Sequence, residues 1–441
     1  MVLNNKSEKT ANAVLPPRLG VEVDLREVRT APLKFLDEST RSCGTVFSYG
    51  AGPWQAVVVN KPVCVKRILD QDGEAYTKMG TPDLMMLKPM LGEGLMTSEG
   101  PAWKEQRDEA TYSFSRQNVT GYIPQMRQFI EVLVERCQTL ATSGEAVDVE
   151  TEMNGLTLQI VVKCLFGFDL GDQTGEFAKA VETMNKAMAH FDSSGESMRQ
   201  TFDAALSSLH RIVTQIVMKR QLFGLRGMQD DLLTRLIDTS TGRQLFDRVF
   251  TFVMAGHETT AKSLCWALHL ISHHPEVEQR LFDEVDELGS DTPIDMDNIG
   301  KLAYARAVLQ EAVRLYPPVW LMSRIATVDD VAGGYHIQKG SLVLISPYIL
   351  HRHPDYWQDP LAFNPERFLG ADTPAPQSYM PFGYGPRMCI GRFFAQNEGI
   401  MTIASLVRKF RLKPQPGAII EPEALITLRP KGGLPLLFHK R

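Results

Sequence analysis

The chain has 441 residues, 44% of them hydrophobic and 22% charged, with a net charge of −5. That balance excludes a disordered or fibrous class. It also leaves no basic excess with which to bind nucleic acid.

The first 14 residues read as a flexible polar tail, with no apolar run long enough for a signal peptide or a membrane span. The six cysteines are dispersed and none forms a C-x-x-C pair, which fits reduced thiols in a cytoplasmic, soluble protein without a membrane anchor. "LPPRLG" (Leu15–Gly20) is a stiff, extended leading segment. Thr45–Tyr49 and Ala56–Asn60 read as two short strands joined by "GAGP". From Pro62 to about Tyr316 the pattern is mostly helical. In "PEVEQRLFDEVDEL", Val277, Leu281, Val285 and Leu288 fall at helical spacing between Pro275 and Gly289. Gly333–Tyr348 alternates and carries paired glycines, so it reads as a hairpin. "DPLAFNPERFLGADTPAPQ" is a proline-rich loop, "IGRFFAQNEGIMTIASLVRKF" returns to helix, and "ITLRPKGGLPLLFHKR" reads as strand, glycine turn and strand. There is no internal repeat and no linker. The expectation is one domain over 1–441, mainly α with small β-sheets at both ends (α+β).

Phe382–Gly391, "FGYGPRMCIG", places Cys389 between a glycine-rich turn and a predicted helix. A buried cysteine in a tight turn is one reading, since most cysteines act as small hydrophobes. A nucleotide loop fails, because Met388 stands where the last glycine belongs and no apolar strand precedes it. The third reading is a metal-ligating thiolate, favoured by a helix N-terminus and by backbone N–H groups left unshielded at Gly383, Gly385 and Gly391. Arg387 would then stand beside an anionic group of the same ligand. The spacing F-x-x-G-x-R-x-C-x-G, carried by Phe382, Gly385, Arg387, Cys389 and Gly391, resembles the haem-binding signature of the cytochrome P-450 family.

The resemblance extends over nearly the whole chain and implies the family's fold, with a long distal helix over a haem. It implies haem b with Cys389 as axial ligand, and a thiolate there favours O–O cleavage. "AGHETT" (Ala255–Thr260) lies in a helix predicted over about Asp247–His273. It is not a zinc H-E-x-x-H motif, because residue 261 is alanine. It is similar to the family's distal motif. Ala255 and Gly256 would let the helix approach the haem, and Glu258 and Thr259 would deliver protons to dioxygen. Trp103 and Arg107, at i and i+4, would hold a haem propionate, as would Arg324 and Arg387, with His351 assisting. Glu311, Arg314 and Arg367 are implied as a buried structural triad that pins the proline-rich loop.

For the substrate wall, the methionine- and leucine-rich stretch Thr77–Leu95 offers Leu84, Met85, Met86 and Leu87, followed by Phe252, Ala255, Val319, Trp320 and Leu321. Plain core packing competes with that reading. The implied activity is a soluble bacterial-type monooxygenase. It would hydroxylate or epoxidise an apolar terpene, fatty acyl chain or polyketide with O2. Electrons would come from NAD(P)H through a separate ferredoxin or flavodoxin and its reductase, docked near Lys104 and Arg392. A monomer is expected. The alternatives are a haem-thiolate peroxygenase or isomerase, and a non-catalytic haem- or ligand-binding protein.

Overall fold

The computed structural model describes residues 13–20, 23, 25–50, 55–71, 73–189, 196–222, 231–290, 292–370 and 377–441. Most of the polar tail, the "GAGP" turn from residue 51 and residues 371–376 of the proline-rich loop lie outside these. Two compact units are built from interleaved stretches of chain. The first is Met1–Leu87, Val319–Ala362 and Asp372–Cys389; the second is Lys88–Pro318, Phe363–Ala371 and Ile390–Arg441.

The first unit is organised by a five-stranded sheet in the order Val46–Tyr49, Ala56–Val59, Leu342–Ile345, Met322–Ala326, Tyr76–Thr77. Ala56–Val59 runs parallel to Leu342–Ile345, and the remaining pairs are antiparallel. The β-branched run Val57–Val59 is buried, and the helix Pro62–Asp70 contributes Cys64, Val65, Ile68 and Leu69 to the same core. The hairpin expected over Gly333–Tyr348 is not formed. Gly333 and Gly334, at φ 58° and 92°, are instead the two-residue turn of a hairpin between Asp330–Ala332 and Tyr335–Ile337. Positive φ at both central residues is what such a turn demands. Leu342–Ile345 lies almost wholly buried in the larger sheet, where a continuous apolar run replaces alternation.

The second unit is helical, with two- and three-stranded sheets at its edge. Arg116–Ser143 is capped by Ser115, whose hydroxyl accepts from Asn118 N–H at 3.3 Å, and is stopped by left-handed Gly144. Val149–Phe166 is apolar nearly all round and lies in the core. The long helix spans Gly242–His273, 32 residues or about 48 Å. It starts at Gly242 rather than Asp247 because Leu245 and Phe246 extend its buried face by another turn. A Cβ on Gly256 would stand 2.6 Å from Val161 Cγ2. Glycine there is therefore required for the long helix to pack against Val149–Phe166. The two strands at the C-terminal end both form, but they do not pair with each other. Leu428–Pro430 pairs with Pro422–Ala424, whereas Pro435–Lys440 pairs with Phe410–Pro414 and Val147–Asp148.

Candidate active site

In the first unit, Cys389 lies on a loop wound by two left-handed glycines, Gly383 at φ 74° and Gly385 at φ 73°. A Cβ on Gly385 would come within 2.3 Å of Leu69 O, so only glycine lets the loop lie against the helix Pro62–Asp70. Gly383 N–H donates to Met380 O at 3.0 Å rather than being left open toward the sulfur, and Cys389 N–H donates to Phe382 O at 2.8 Å. The chain leading into the loop is anchored by His351, whose Nε2 accepts from Met380 N–H at 2.9 Å. His351 thus has a scaffolding role that its sequence position did not suggest. Arg324 is buried, with Nη1 donating to Ser323 O at 2.8 Å, and Arg387 and Phe382 are half-buried on the cysteine loop.

Cys389 is the one exposed cysteine of the six. Burial pushes the thiol of Cys64 up to about 11 and that of Cys137 to about 12, and raises those of Cys164 and Cys265 well above the ordinary value too. A metal ligand must be a thiolate. The buried four are held as thiols, and Cys389 alone of the six is exposed.

In the second unit, the long helix is exposed at its two ends, Gly242–Gln244 and His273, and half-exposed at His269; its middle is buried except along a strip of small side chains, where Ala255, Gly256, Thr259 and Ser263 are half-exposed. Thr259 Oγ1 donates to Ala255 O at 2.9 Å and Ser263 Oγ to Thr259 O at 2.9 Å. The helix remains uninterrupted through them. With its proton on Ala255 O, the Thr259 hydroxyl keeps its lone pairs for an incoming donor. Glu258 is buried, and its Oε1 accepts from Asn185 Nδ2 at 2.9 Å and from Thr427 Oγ1 at 2.7 Å. Neither partner was singled out in the sequence. Asn185 stands 73 residues and Thr427 169 residues from Glu258, and no local spacing signals such a contact.

His257 is fully enclosed, its ring edge-on to Phe177 with centroids 6.3 Å apart. Burial lowers its pKa from 6.5 to about 4; Glu258 opposes the shift and Lys262 adds to it. Between those two values the unfolded chain takes a proton that the folded chain refuses. Stability from this group is therefore complete above pH 6.5 and falls by about 3 kcal/mol as the pH drops through 4. Urea titrations at pH 7 and pH 4.5 should show the His257→Asn protein losing less stability on acidification than the parent. Equal losses would remove His257 from the acid response.

Trp103 and Arg107 are half-buried on the helix Gly100–Thr111, and neighbouring Lys104 pairs with Asp108 at 2.7 Å. Glu311 and Arg314 are fully buried on the helix Ala303–Leu315. Arg314 Nε and Nη2 donate to Glu311 at 2.6 and 2.8 Å, and Arg367 Nε donates to Glu311 Oε1 at 3.1 Å. Asn364 N–H adds a fourth bond at 2.9 Å, tying the proline-rich loop to the same carboxylate. Of the apolar candidates in the first unit, Leu84 and Leu87 are buried, Trp320 and Leu321 half-buried, and Met85 and Val319 exposed at 69% and 42%. Phe252, in the second unit, stacks on Phe114 at 5.8 Å, and Phe114 meets Phe394 edge-on at 6.4 Å. Phe394 is buried in the helical core and Phe114 packs against that core, so this aromatic stack is core packing around Phe252.

The family model described as Cytochrome P450 matches residues 16–436. The chain belongs to the cytochrome P-450 family. Cyclooctatin synthase of Streptomyces melanosporofaciens is 32% identical over 90% of this chain and 89% of its own length. Pentalenene oxygenase of Streptomyces avermitilis is 28% identical, over 90% of each chain. Among solved structures, the cytochrome P-450DA haem domain superposes with a TM-score of 0.87 at 26% identity, covering 97% of this chain and 98% of that one. The mainly helical fold with small sheets is thus the cytochrome P-450 fold, and the protein is an enzyme of the P-450 monooxygenase class. Its family's cofactor is haem with a cysteine thiolate ligand, used with O2. Within the first unit, an exposed thiol at Cys389, a buried arginine at Arg324 and a half-buried one at Arg387 are the side-chain types that an iron and carboxylates call for; within the second, the long helix presents a strip of small side chains. Among the described residues, no helix is long and apolar enough to cross a membrane.

Proposed function

We propose that the protein inserts one oxygen atom of O2 into an apolar, terpene-like hydrocarbon. Two electrons would be delivered singly by a separate ferredoxin or flavodoxin system. The observation that carries the reading is the lone exposed thiol, Cys389, in the family's signature loop. The name pentalenene oxygenase denotes an alkene as the substrate of one relative, and that favours a hydrocarbon skeleton here.

The haem, when bound, supplies the activation of dioxygen and the oxidation of a C–H or C=C bond. The chain's own residues do the rest. Cys389 would hold the iron through Sγ. Trp103, Arg107, Arg324 and Arg387 are assigned to the two carboxylates of the porphyrin, as bidentate guanidinium contacts suit. Phe252, with Phe114 behind it, keeps water from the reacting carbon and gives an apolar substrate a surface. Thr259 accepts a hydrogen bond at Oγ1 while its own proton rests on Ala255 O, and it passes a proton on by rotating. Glu258 holds the proton that resupplies it.

An optical spin-state titration against a panel of cyclic terpenes, fatty acids and polyketides tests the substrate class. A terpene is expected to give the saturable shift, and a response confined to fatty acids would reject the terpene reading. With a substrate in hand, Thr259→Ala should bind it unchanged but lose about 10- to 100-fold in product per NAD(P)H, the difference appearing as hydrogen peroxide. Unaltered coupling would take Thr259 out of the proton path.

A further inference from the structure

The cradle around Glu258 contains no charge. Its Oε1 receives one bond from the Asn185 amide, on the helix Gln173–Ala189, and one from the Thr427 hydroxyl, in the turn between Pro422–Ala424 and Leu428–Pro430. Both partners are buried. The cations nearby are engaged elsewhere. Lys262, on the same helix, donates to Glu150 at 2.6 Å and to Asn154 at 3.3 Å from the helix Val149–Phe166. Arg429, beyond the turn, pairs with Glu423 at 2.9 Å, and Lys186 beside Asn185 pairs with Glu182 at 2.5 Å. His257 is enclosed and turned toward Phe177. Among the described residues no ion pair reaches Glu258.

A lysine or arginine can only donate, so it would fix Glu258 as an anion. A primary amide and a hydroxyl can each donate or accept. Facing a carboxylate, Asn185 offers Nδ2 and Thr427 its O–H, as observed. Facing a carboxylic acid, whose single O–H serves one acceptor, either Asn185 can turn its amide over and accept at Oδ1 or Thr427 can rotate and accept at Oγ1, while the other goes on donating. In the present orientation Asn185 Oδ1 is buried and has no hydrogen-bond partner among the described residues. Such an acceptor is costly to enclose. An acidic O–H on Glu258 would satisfy it.

We propose that Asn185 and Thr427 are positioning residues that stabilise Glu258 in both its protonated and its ionised form, so that it holds and releases a proton at Oε1 without leaving its place. The inference rests on the reading of Glu258 as the proton donor. The step itself is a proton transfer: an O–H bond forms at Oε1 with a proton from water and breaks as that proton passes to water or a hydroxyl on the substrate side, with no electrons moved.

The test uses the holoenzyme and four variants: Glu258→Gln, Asn185→Leu, Thr427→Val and the conservative Thr427→Ser. Infrared spectra on acidification should show a protonated-carboxyl band that Glu258→Gln removes. That band should move to higher frequency in Asn185→Leu and Thr427→Val and return to its place in Thr427→Ser. In turnover with any substrate that gives a spin-state shift, the two cradle variants should release about tenfold more hydrogen peroxide per product, with the substrate-induced shift unchanged. Tenfold is the scale of one lost hydrogen bond to a charged group. Both readouts must move; a change in one alone, or in neither, overturns the proposal. If Glu258→Gln leaks peroxide and the cradle variants do not, only the cradle falls. If Glu258→Gln leaves leak and band untouched, the donor role falls with it.

Discussion

Cys389→Ser is expected to abolish the red-shifted Soret band of the ferrous carbon monoxide complex and to reduce O2-dependent product formation below detection, while the fold stays intact. The backbone sets where residue 389 sits. Its N–H is fixed to Phe382 O, Gly383 N–H to Met380 O, and Gly385 lies against Leu69 O where no larger residue fits. Serine therefore occupies the same place. In the haem-free chain the side chain is exposed, so the change in its unfolding free energy should stay within about 0.5 kcal/mol. What is lost is a thiolate, and no other cysteine can replace it, because four are enclosed as neutral thiols and half-buried Cys43 ends the helix Pro32–Cys43, away from this loop in the chain. Optical spectroscopy of the haem-loaded carbon monoxide complex and a urea titration of the haem-free protein separate ligand chemistry from folding. A retained thiolate spectrum would move the axial ligand elsewhere and take the whole site assignment with it.

The second large effect belongs to Glu311. This carboxylate is fully enclosed and accepts from Arg314, Arg367 and the Asn364 N–H. Replacing it with leucine leaves two guanidinium groups facing each other in a site with little water, at a cost of about 3–5 kcal/mol. That is a large share of an ordinary domain's stability. Glu311→Leu should accordingly lower the urea midpoint sharply and free the segment around Pro365–Phe368, measurable as faster amide exchange. The double variant Glu311→Leu/Arg314→Leu should recover part of the loss, since it removes one of the stranded charges as well. A single variant as stable as the parent would mean that the triad contributes nothing to folding.

Much of this was legible because it is local. The cysteine loop, "AGHETT" and the long apolar helix each lie within a few turns of chain, where spacing and residue type are read together. The strand hairpins were less legible. Paired glycines in the sequence mark a hairpin without saying whether they open it or turn it, and at Gly333–Gly334 the left-handed pair is the turn itself. Leu342–Ile345 finds its partner almost three hundred residues back, at Ala56–Val58. The same limit hid Asn185 and Thr427, which meet Glu258 only in the folded chain. Gly256 looks from its motif like a concession to a ligand, but Val161 on the neighbouring helix already demands it.

The uneven shielding of the six sulfurs has a practical consequence. In the native protein a maleimide dye can reach Cys389 and, less readily, half-buried Cys43, while the other four stay silent until the chain opens. Because an iron-bound sulfur does not alkylate, the fraction of molecules labelled at 389 counts those still lacking their prosthetic group, giving a direct assay of haem loading that needs neither substrate nor reductase.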